Sequence, residues 1–215
     1  MEHTFDKDYW EKHWQEFGGH GPDPLVNPYL SREVGHLRPG SALDAGCGEG
    51  AEAIWLAEAR WDVTAADIST AALSRAAQRA ATSAAAGRID WVQADLSVWE
   101  PDRPFDLVMT NYAHPAIAQL AFYERISTWV AAGGTLLIVG HLHHHHDIHD
   151  HDHDHDDHDW QPPEAASVTA EAVTALLDPT RWDVVSVEEA QRVVSGGSGR
   201  DVELHDVIVR AERRQ

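Results

Sequence analysis

Three glycines at alternate positions, Gly46, Gly48 and Gly50, stand in LDAGCGEG (43–50), between a short apolar run and a helical pattern. Bare backbone in such a turn admits a ligand, and the start of the following helix offers it unpaired amides. Asp67 closes the next apolar run, WDVTAAD (61–67). An acid at the end of that second strand is placed to accept hydrogen bonds from ribose hydroxyls. A glycine triplet alone says little. The order strand, triplet, helix, strand, acid points to a ligand that carries a nucleoside.

Two further acids narrow the ligand. Asp44 directly precedes the turn, and Asp95 ends the third strand in VQADL (92–96). An anion at Asp44 repels a pyrophosphate but orients a cationic or amino-bearing group. The same glycines, as Gly46-x-Gly48-x-x-Ala51, also satisfy a dinucleotide pattern, so an NAD-linked oxidoreductase stays open. It is disfavoured because no second domain is left over to hold a hydride acceptor.

The other stretch with chemical content is HLHHHHDIHDHDHDHDDHD (141–159), which holds ten histidines and seven aspartates. His141, His143, His144, His145, His146, His149, His151, His153, His155 and His158 set imidazole nitrogens beside carboxylates. That is a donor set for a divalent metal such as Zn, Ni, Co or Cu. No cysteine joins them and no ligand spacing recurs, so no single structural site is expected. Polar low-complexity inserts are also tolerated without any ligand. The segment is therefore a metal-responsive loop, the working part of a metal-buffering protein on another scaffold, or a passenger.

The elements that must position these residues alternate. Residues 5–17 carry Tyr9, Trp10, His13, Trp14 and Phe17 on roughly one helical face; Trp10 and Trp14 read first as core. Residues 18–28 are a Gly/Pro-rich loop ending in the turn signal Asn27-Pro28, and 29–37 is a short helix. Strands are expected at 41–46, 61–67, 88–95, 105–111 and 135–140. Helices are expected at 51–59, 69–85 (with Ser69 as its N-cap), 115–132 and 167–177. Two long strands, 182–194 and 201–212, are joined by the turn SGGSG. Alternation of this kind gives parallel βαβ units with helices on both faces. The expected fold is a Rossmann-like, doubly wound α/β sheet of seven mostly parallel strands, the hairpin supplying one antiparallel strand. The chain reads as a single domain, with residues 1–38 as an N-terminal helical cap and 141–159 as a loop insertion.

The totals set outer bounds. Sixteen basic and 36 acidic residues give a formal charge of −20, which disfavours nucleic acid and anionic membrane surfaces as partners. One cysteine, Cys47, excludes an internal disulfide and suits a reducing compartment; it reads as a small buried residue rather than a nucleophile. Neither a signal peptide nor a membrane span is expected, so a cytoplasmic location is. The oligomeric state is not readable.

LDAGCGEG resembles the first motif of the class I S-adenosylmethionine-dependent methyltransferases. VTAADIS (63–69) is similar to their second-strand acid and IDWVQADLSVWEP (89–101) to their adenine-contacting segment. FDLVMTNYAH (105–114) resembles their fourth strand with the acceptor-side residues after it, and AAGGTLLIVG (131–140) their fifth strand and the turn before it. The resemblance covers about residues 5–210. Its nearest flavour is the small-molecule branch that includes thiopurine and tellurite-resistance methyltransferases.

The resemblance implies S-adenosylmethionine as cofactor and a small-molecule substrate. Asp44 and the glycine loop would face the methionine part. Asp67, with Ile68 beside it, would hold the ribose, and Asp95 would meet the adenine amino group with Leu96 packing nearby. Asn111 would join the cofactor contacts and, with Tyr112 and His114, line the acceptor side. Tyr112 is a candidate for orienting the acceptor and His114 for general base. The histidine tract departs from the family pattern, and its place after the fifth strand suggests that a bound metal modulates turnover.

Overall fold

The computed structural model describes residues 5–17, 24–83, 85–143, 164–195 and 201–215. Six helices lie among these: α1 (Lys7–Phe17), α2 (Pro28–Val34), α3 (Ala51–Glu58), α4 (Thr70–Ala80), α5 (Gln119–Ser127) and α6 (Ala170–Ala175). The strands are β1 (Ser41–Ala45), β2 (Asp62–Asp67), β3 (Ile89–Gln93), β4 (Phe105–Asn111) and β5 (Val130–Leu142), then β6 (Ser167–Val168), β7 (Trp182–Ser195) and β8 (Asp201–Arg213).

They form one sheet in the order β3-β2-β1-β4-β5-β8-β7, with β6 paired to the end of β5. The first five strands are parallel, and β8 runs antiparallel between β5 and β7. The expected seven strands are all present, and β6 is a two-residue addition. Successive residues of β5 alternate between two apolar layers. Leu136 and Ile138 join Leu43, Phe122 and Val209 on one face, while Leu137 and Val139 join Leu56, Met109 and Ile208 on the other. A strand covered on both sides must be apolar at every position, which is why TLLIVG reads as a continuous run.

Several helix limits differ from those expected. The 115–132 helix is only α5, Gln119–Ser127, because Val130 pairs with Phe105 and the chain from there on is β5. An alanine-rich stretch with good helix propensity is thus overridden by sheet pairing. The helix expected from Ser167 begins three residues later. Ser167 and Val168 pair with His141 and Leu142, and the Thr169 hydroxyl accepts from Ala172 N–H to cap α6. Ser69 caps α4 as expected, its hydroxyl accepting from Ala72 N–H at 3.2 Å. Asn27 caps α2, with Pro28 in the first turn.

The strand β5 runs through His141 to Leu142, so the loop expected from 141 begins beyond the strand. His141 is a sheet residue and only 4% exposed; it is withdrawn from the metal-ligand set. Residues 144–158, with His144, His145, His146, His149, His151, His153, His155 and His158, lie outside the described residues, as do 18–23 and most of the SGGSG turn. No helix among the described residues is long and apolar enough to cross a membrane. None of their His, Cys, Asp and Glu side chains form a group of three able to hold a metal ion.

Candidate active site

The carboxyl ends of β1, β2, β3 and β4 open into a cavity of about 540 Å³. Its wall includes the glycine loop 46–50, Asp67, Ile68, Asp95, Leu96, Asn111, Tyr112 and His114. These sequence-expected residues, which span 69 positions of chain, therefore meet at one place. Asp44 does not reach the wall. It is buried behind the loop at 1% exposure, beside the Ala53 amide at the start of α3.

The loop needs its glycines for two reasons. Gly46 has φ +85°, and a Cβ on it would stand 2.2 Å from the Ala113 Cβ. Gly48 has φ +50°, and a Cβ there would touch the Trp14 ring at 3.0 Å. The left-handed backbone disfavours any side chain, and the neighbours leave no room for one. Asp67 then fixes the loop against the sheet. Its Oδ2 accepts from Gly48 N–H at 2.8 Å and its Oδ1 from Ser69 N–H at 2.9 Å. The acid expected for a ribose is thus also the brace of the turn.

This end of the cavity is acidic. Burial pushes the Asp44 carboxyl well up, and the charges of Glu52 and Asp67 push it further. Burial likewise raises Glu52 and Asp67, against backbone amides that favour their charged forms. Glu52 accepts from Asn27 N–H at 2.9 Å. Asp44 Oδ2 is sealed from solvent and has no hydrogen-bond partner, a costly condition for a carboxylate. Both amide atoms of Asn111 are in the same state. Glu52 and Asp67 on the wall of a bare-backbone loop, with Asp44 behind it, fit a ligand that brings positive charge and N–H donors. They fit a pyrophosphate poorly. Cys47 is buried and its thiol is pushed up by that burial, consistent with a small packing residue.

Asp95 Oδ1 accepts from the Ser97 amide at 2.9 Å and its hydroxyl at 2.6 Å, which fixes the carboxylate at the end of β3. Leu96 is buried and Ile68 half-buried beside it, so this part of the wall is an apolar slot with an acid at one end.

The opposite end is built from the chain's later half. Tyr112 sits just after β4 with φ +53°, a left-handed conformation that costs a residue with a Cβ about 1–2 kcal/mol. It is held there by its N–H to Val139 O at 2.9 Å and by its hydroxyl, which donates to Asp206 Oδ1 at 2.7 Å. Asp206 is fully buried and accepts also from the Tyr29 hydroxyl at 2.9 Å and from Arg192 Nε at 2.6 Å. Arg192 donates to the Tyr112 hydroxyl as well, at 3.0 Å, and reaches the cavity wall. Burial and the Asp206 charge drive the Tyr112 hydroxyl above its ordinary range, so it stays protonated. The ring of His141 lies 4.7 Å from that of Tyr112 and 5.2 Å from that of His114. It packs beneath both rings at this end of the cavity.

Phe5, Trp10 and Trp14 cover the cavity from α1 and the residues before it. Trp10 and Trp14, read from sequence as core, are wall residues instead. Glu52, Arg192, Asp206 and Gln119 were not singled out by sequence. The signal for Glu52 was its place one residue into the helix after the glycine turn. No local signal exists for Arg192 or Asp206, which meet Tyr112 only through the sheet.

Comparison with known proteins agrees with this geometry. Residues 42–134 match the family model of a methyltransferase domain. The chain is 35% identical over 104 residues to trans-aconitate 2-methyltransferase of Streptomyces avermitilis, a match covering 46% of this chain and 38% of that protein. It is 26% identical over 207 residues to thiocyanate methyltransferase 1 of Brassica oleracea, covering 92% of this chain and 84% of the relative. The fold matches magnesium protoporphyrin IX methyltransferase from Synechocystis PCC 6803 with bound SAM, at TM-score 0.64 and 16% identity over the full length of both chains. The chain thus carries a methyltransferase domain over residues 42–134 and is similar in sequence and fold to S-adenosylmethionine-dependent methyltransferases.

Proposed function

We propose that this protein transfers a methyl group from S-adenosylmethionine to a small-molecule nucleophile in the cavity described above. The observation that carries the reading is the acidic wall of Glu52 and Asp67 at the bare-backbone glycine loop, with both amide atoms of Asn111 unpartnered on the same wall. It suits the amino-bearing, cationic end of that cofactor and not a dinucleotide. When bound, S-adenosylmethionine supplies an electrophilic methyl group on a sulfonium sulfur. The loop Gly46–Gly50 and Asn111 would hold its methionine part, with Asp44 buried behind the loop. Asp67 would take ribose hydroxyls on its remaining lone pairs, and Asp95 the adenine amino group, with Ile68 and Leu96 against the ring.

Tyr112 and His114 would orient the acceptor. The neutral floor of His141 and the aromatic cover of Phe5, Trp10 and Trp14 would shield it from water. Holding two reactants in line is the main thing such a site must do. Relatives named for thiocyanate and trans-aconitate support a small acceptor here too. The test is a calorimetric titration. S-adenosylmethionine binds and NADH does not; the reverse result would return the oxidoreductase reading.

We also propose that the histidine tract binds a divalent metal and that this changes turnover. Its support is positional: the His143 N–H is fixed to Val168 O at 2.9 Å, two residues beyond the His141 ring that packs on Tyr112 and His114. The tract thus leaves the sheet beside the acceptor wall. Turnover with and without Zn²⁺ or Ni²⁺ tests it.

A further inference from the structure

His114 presents a protonation state that its neighbours dictate. Its ring is buried between His141 and Trp10 and near Phe5. Its Nδ1 lies 3.1 Å from Oε1 of Gln119, the first residue of α5. The other end of the Gln119 amide, Nε2, donates to the Ala113 carbonyl oxygen at 2.9 Å. A carbonyl oxygen only accepts, so the amide end facing Ala113 must be the NH₂. The end facing His114 is then the oxygen, and it too only accepts. Nδ1 must therefore carry the hydrogen. The choice of tautomer, usually left to convention, follows here from two contacts.

The charged and titratable groups round the ring leave it neutral. Tyr112 of the β4 end and His141 of β5 are uncharged neighbours. Arg192 of β7 is committed to Asp206 of β8, and Asp206 is already shared by Tyr29, Tyr112 and Arg192. Among the described residues no carboxylate pairs with His114, and burial lowers its affinity for a proton. With Nδ1–H donated to Gln119, the lone pair sits on Nε2.

We infer that His114 Nε2 is the proton acceptor of this site, that Gln119 is the positioning residue that fixes its tautomer, and that the acceptor is a thiol or hydroxyl carrying its own proton. The inference rests on the methyl-transfer reading and deepens it. The acceptor's proton passes to Nε2 as its freed electron pair bonds the methyl carbon, while the carbon–sulfur bonding pair stays with the cofactor's sulfur, now a neutral thioether. The imidazolium afterwards releases its proton to solvent.

Ring nitrogens of protein labelled with ¹⁵N-histidine test the inference without any substrate. The His114 signals are identified by their loss in His114→Asn. Wild type should show a protonated Nδ1 and an unprotonated Nε2 at pH 8. Gln119→Leu should show a mixture of tautomers, and Gln119→Glu, which still accepts from Nδ1–H, should restore the wild-type pattern. An Nε2–H form in wild type, or an unchanged pattern in Gln119→Leu, overturns the inference. Should Gln119→Leu not fold, the wild-type and Gln119→Glu spectra still decide.

Turnover is then read with 2-mercaptoethanol, benzenethiol and phenol as protic probes. His114→Asn should lower kcat by about a hundredfold and Gln119→Leu by less, with little change in KM. Gln119→Glu should recover kcat and move its pH dependence upward. If S-adenosylmethionine binds but none of the three probes is methylated, the acceptor class is overturned. If it does not bind at all, the methyl-transfer reading falls while the spectra still judge Gln119.

Discussion

The Trp10 indole N–H donates to the His114 carbonyl oxygen at 3.0 Å, joining residues 104 positions apart. The first helix is thereby tied to the same residue whose side chain lines the cavity. Trp10→Phe keeps an aromatic cover and removes only this bond, worth about 0.5–1.5 kcal/mol. S-adenosylmethionine should bind about two- to tenfold more weakly in calorimetry, with α4 and the sheet unaffected in hydrogen exchange. Unchanged affinity would mean that the tie does not organise the cavity.

Asp67 braces the glycine loop as well as lining the cavity, so Asp67→Ala should have two effects. Loss of charge-assisted hydrogen bonds to ligand should weaken S-adenosylmethionine binding by about ten- to a hundredfold. Leaving the Gly48 and Ser69 amides without their acceptor should also lower the melting temperature by about 2–12 °C, from about 1–3 kcal/mol at roughly 2–4 °C per kcal/mol for a chain of this size. A variant that melts like wild type and binds normally would remove Asp67 from both tasks.

The early part of this site was legible in sequence because it is local. In a βα unit the turn after the strand must face the sheet's carboxyl edge, so Gly46, Gly48, Gly50 and Asp67 follow from order alone. Asp95, Tyr112 and His114 follow from the same rule at β3 and β4. Arg192 and Asp206 were not legible, since their register against Tyr112 is set by how β8 slots beside β5. The reading of His141 failed for another reason. It opens a run of histidines, and composition hid the period-two continuity with Val139 on the same face. The 115–132 helix failed because local propensity and sheet pairing compete over Val130–Ala132, and pairing wins.

His141 should make the protein acid-sensitive in a definable window. Burial first, and then the neighbouring His114, push its pKa down to about 3, whereas in the unfolded chain it titrates near 6.5. Below that value the unfolded state takes up a proton that the folded state refuses. The stability tied to His141 is thus intact above about pH 6.5 and is lost as pH falls towards 3, at up to about 1.4 kcal/mol per pH unit. His141→Phe keeps the ring packing and should flatten the fall in urea stability between pH 6.5 and 4.5. Equal slopes in the two proteins would show that His141 is not excluded from protonation.

Deleting 144–158 should leave the fold and cofactor affinity nearly intact, because the cut spares β5 and the His143–Val168 bond, and loop length costs little stability. A melting temperature lower by more than about 10 °C would contradict this. The same deletion should abolish any effect of Zn²⁺ or Ni²⁺ on turnover. In the intact protein that effect should be weaker at pH 6 than at pH 8, since protons compete with metal for imidazole. A metal effect that survives deletion would put the ion elsewhere.

The place of β8 has a consequence in time. It is made last of the described strands yet lies between β5 and β7 in the sheet. During synthesis β7 therefore has no neighbour to pair with until β8 has emerged and docked on β5. Arg192 rides on β7 and Asp206 on β8, so Tyr112 has neither partner before that moment. The glycine-loop end of the cavity is assembled from β1 to β3 and their helices, which precede β8 by more than a hundred residues. A ribosome-bound chain lacking β8 would hold half the cavity: a nascent-chain complex stalled there should form the sheet's first strands without the Tyr112–Asp206–Arg192 network.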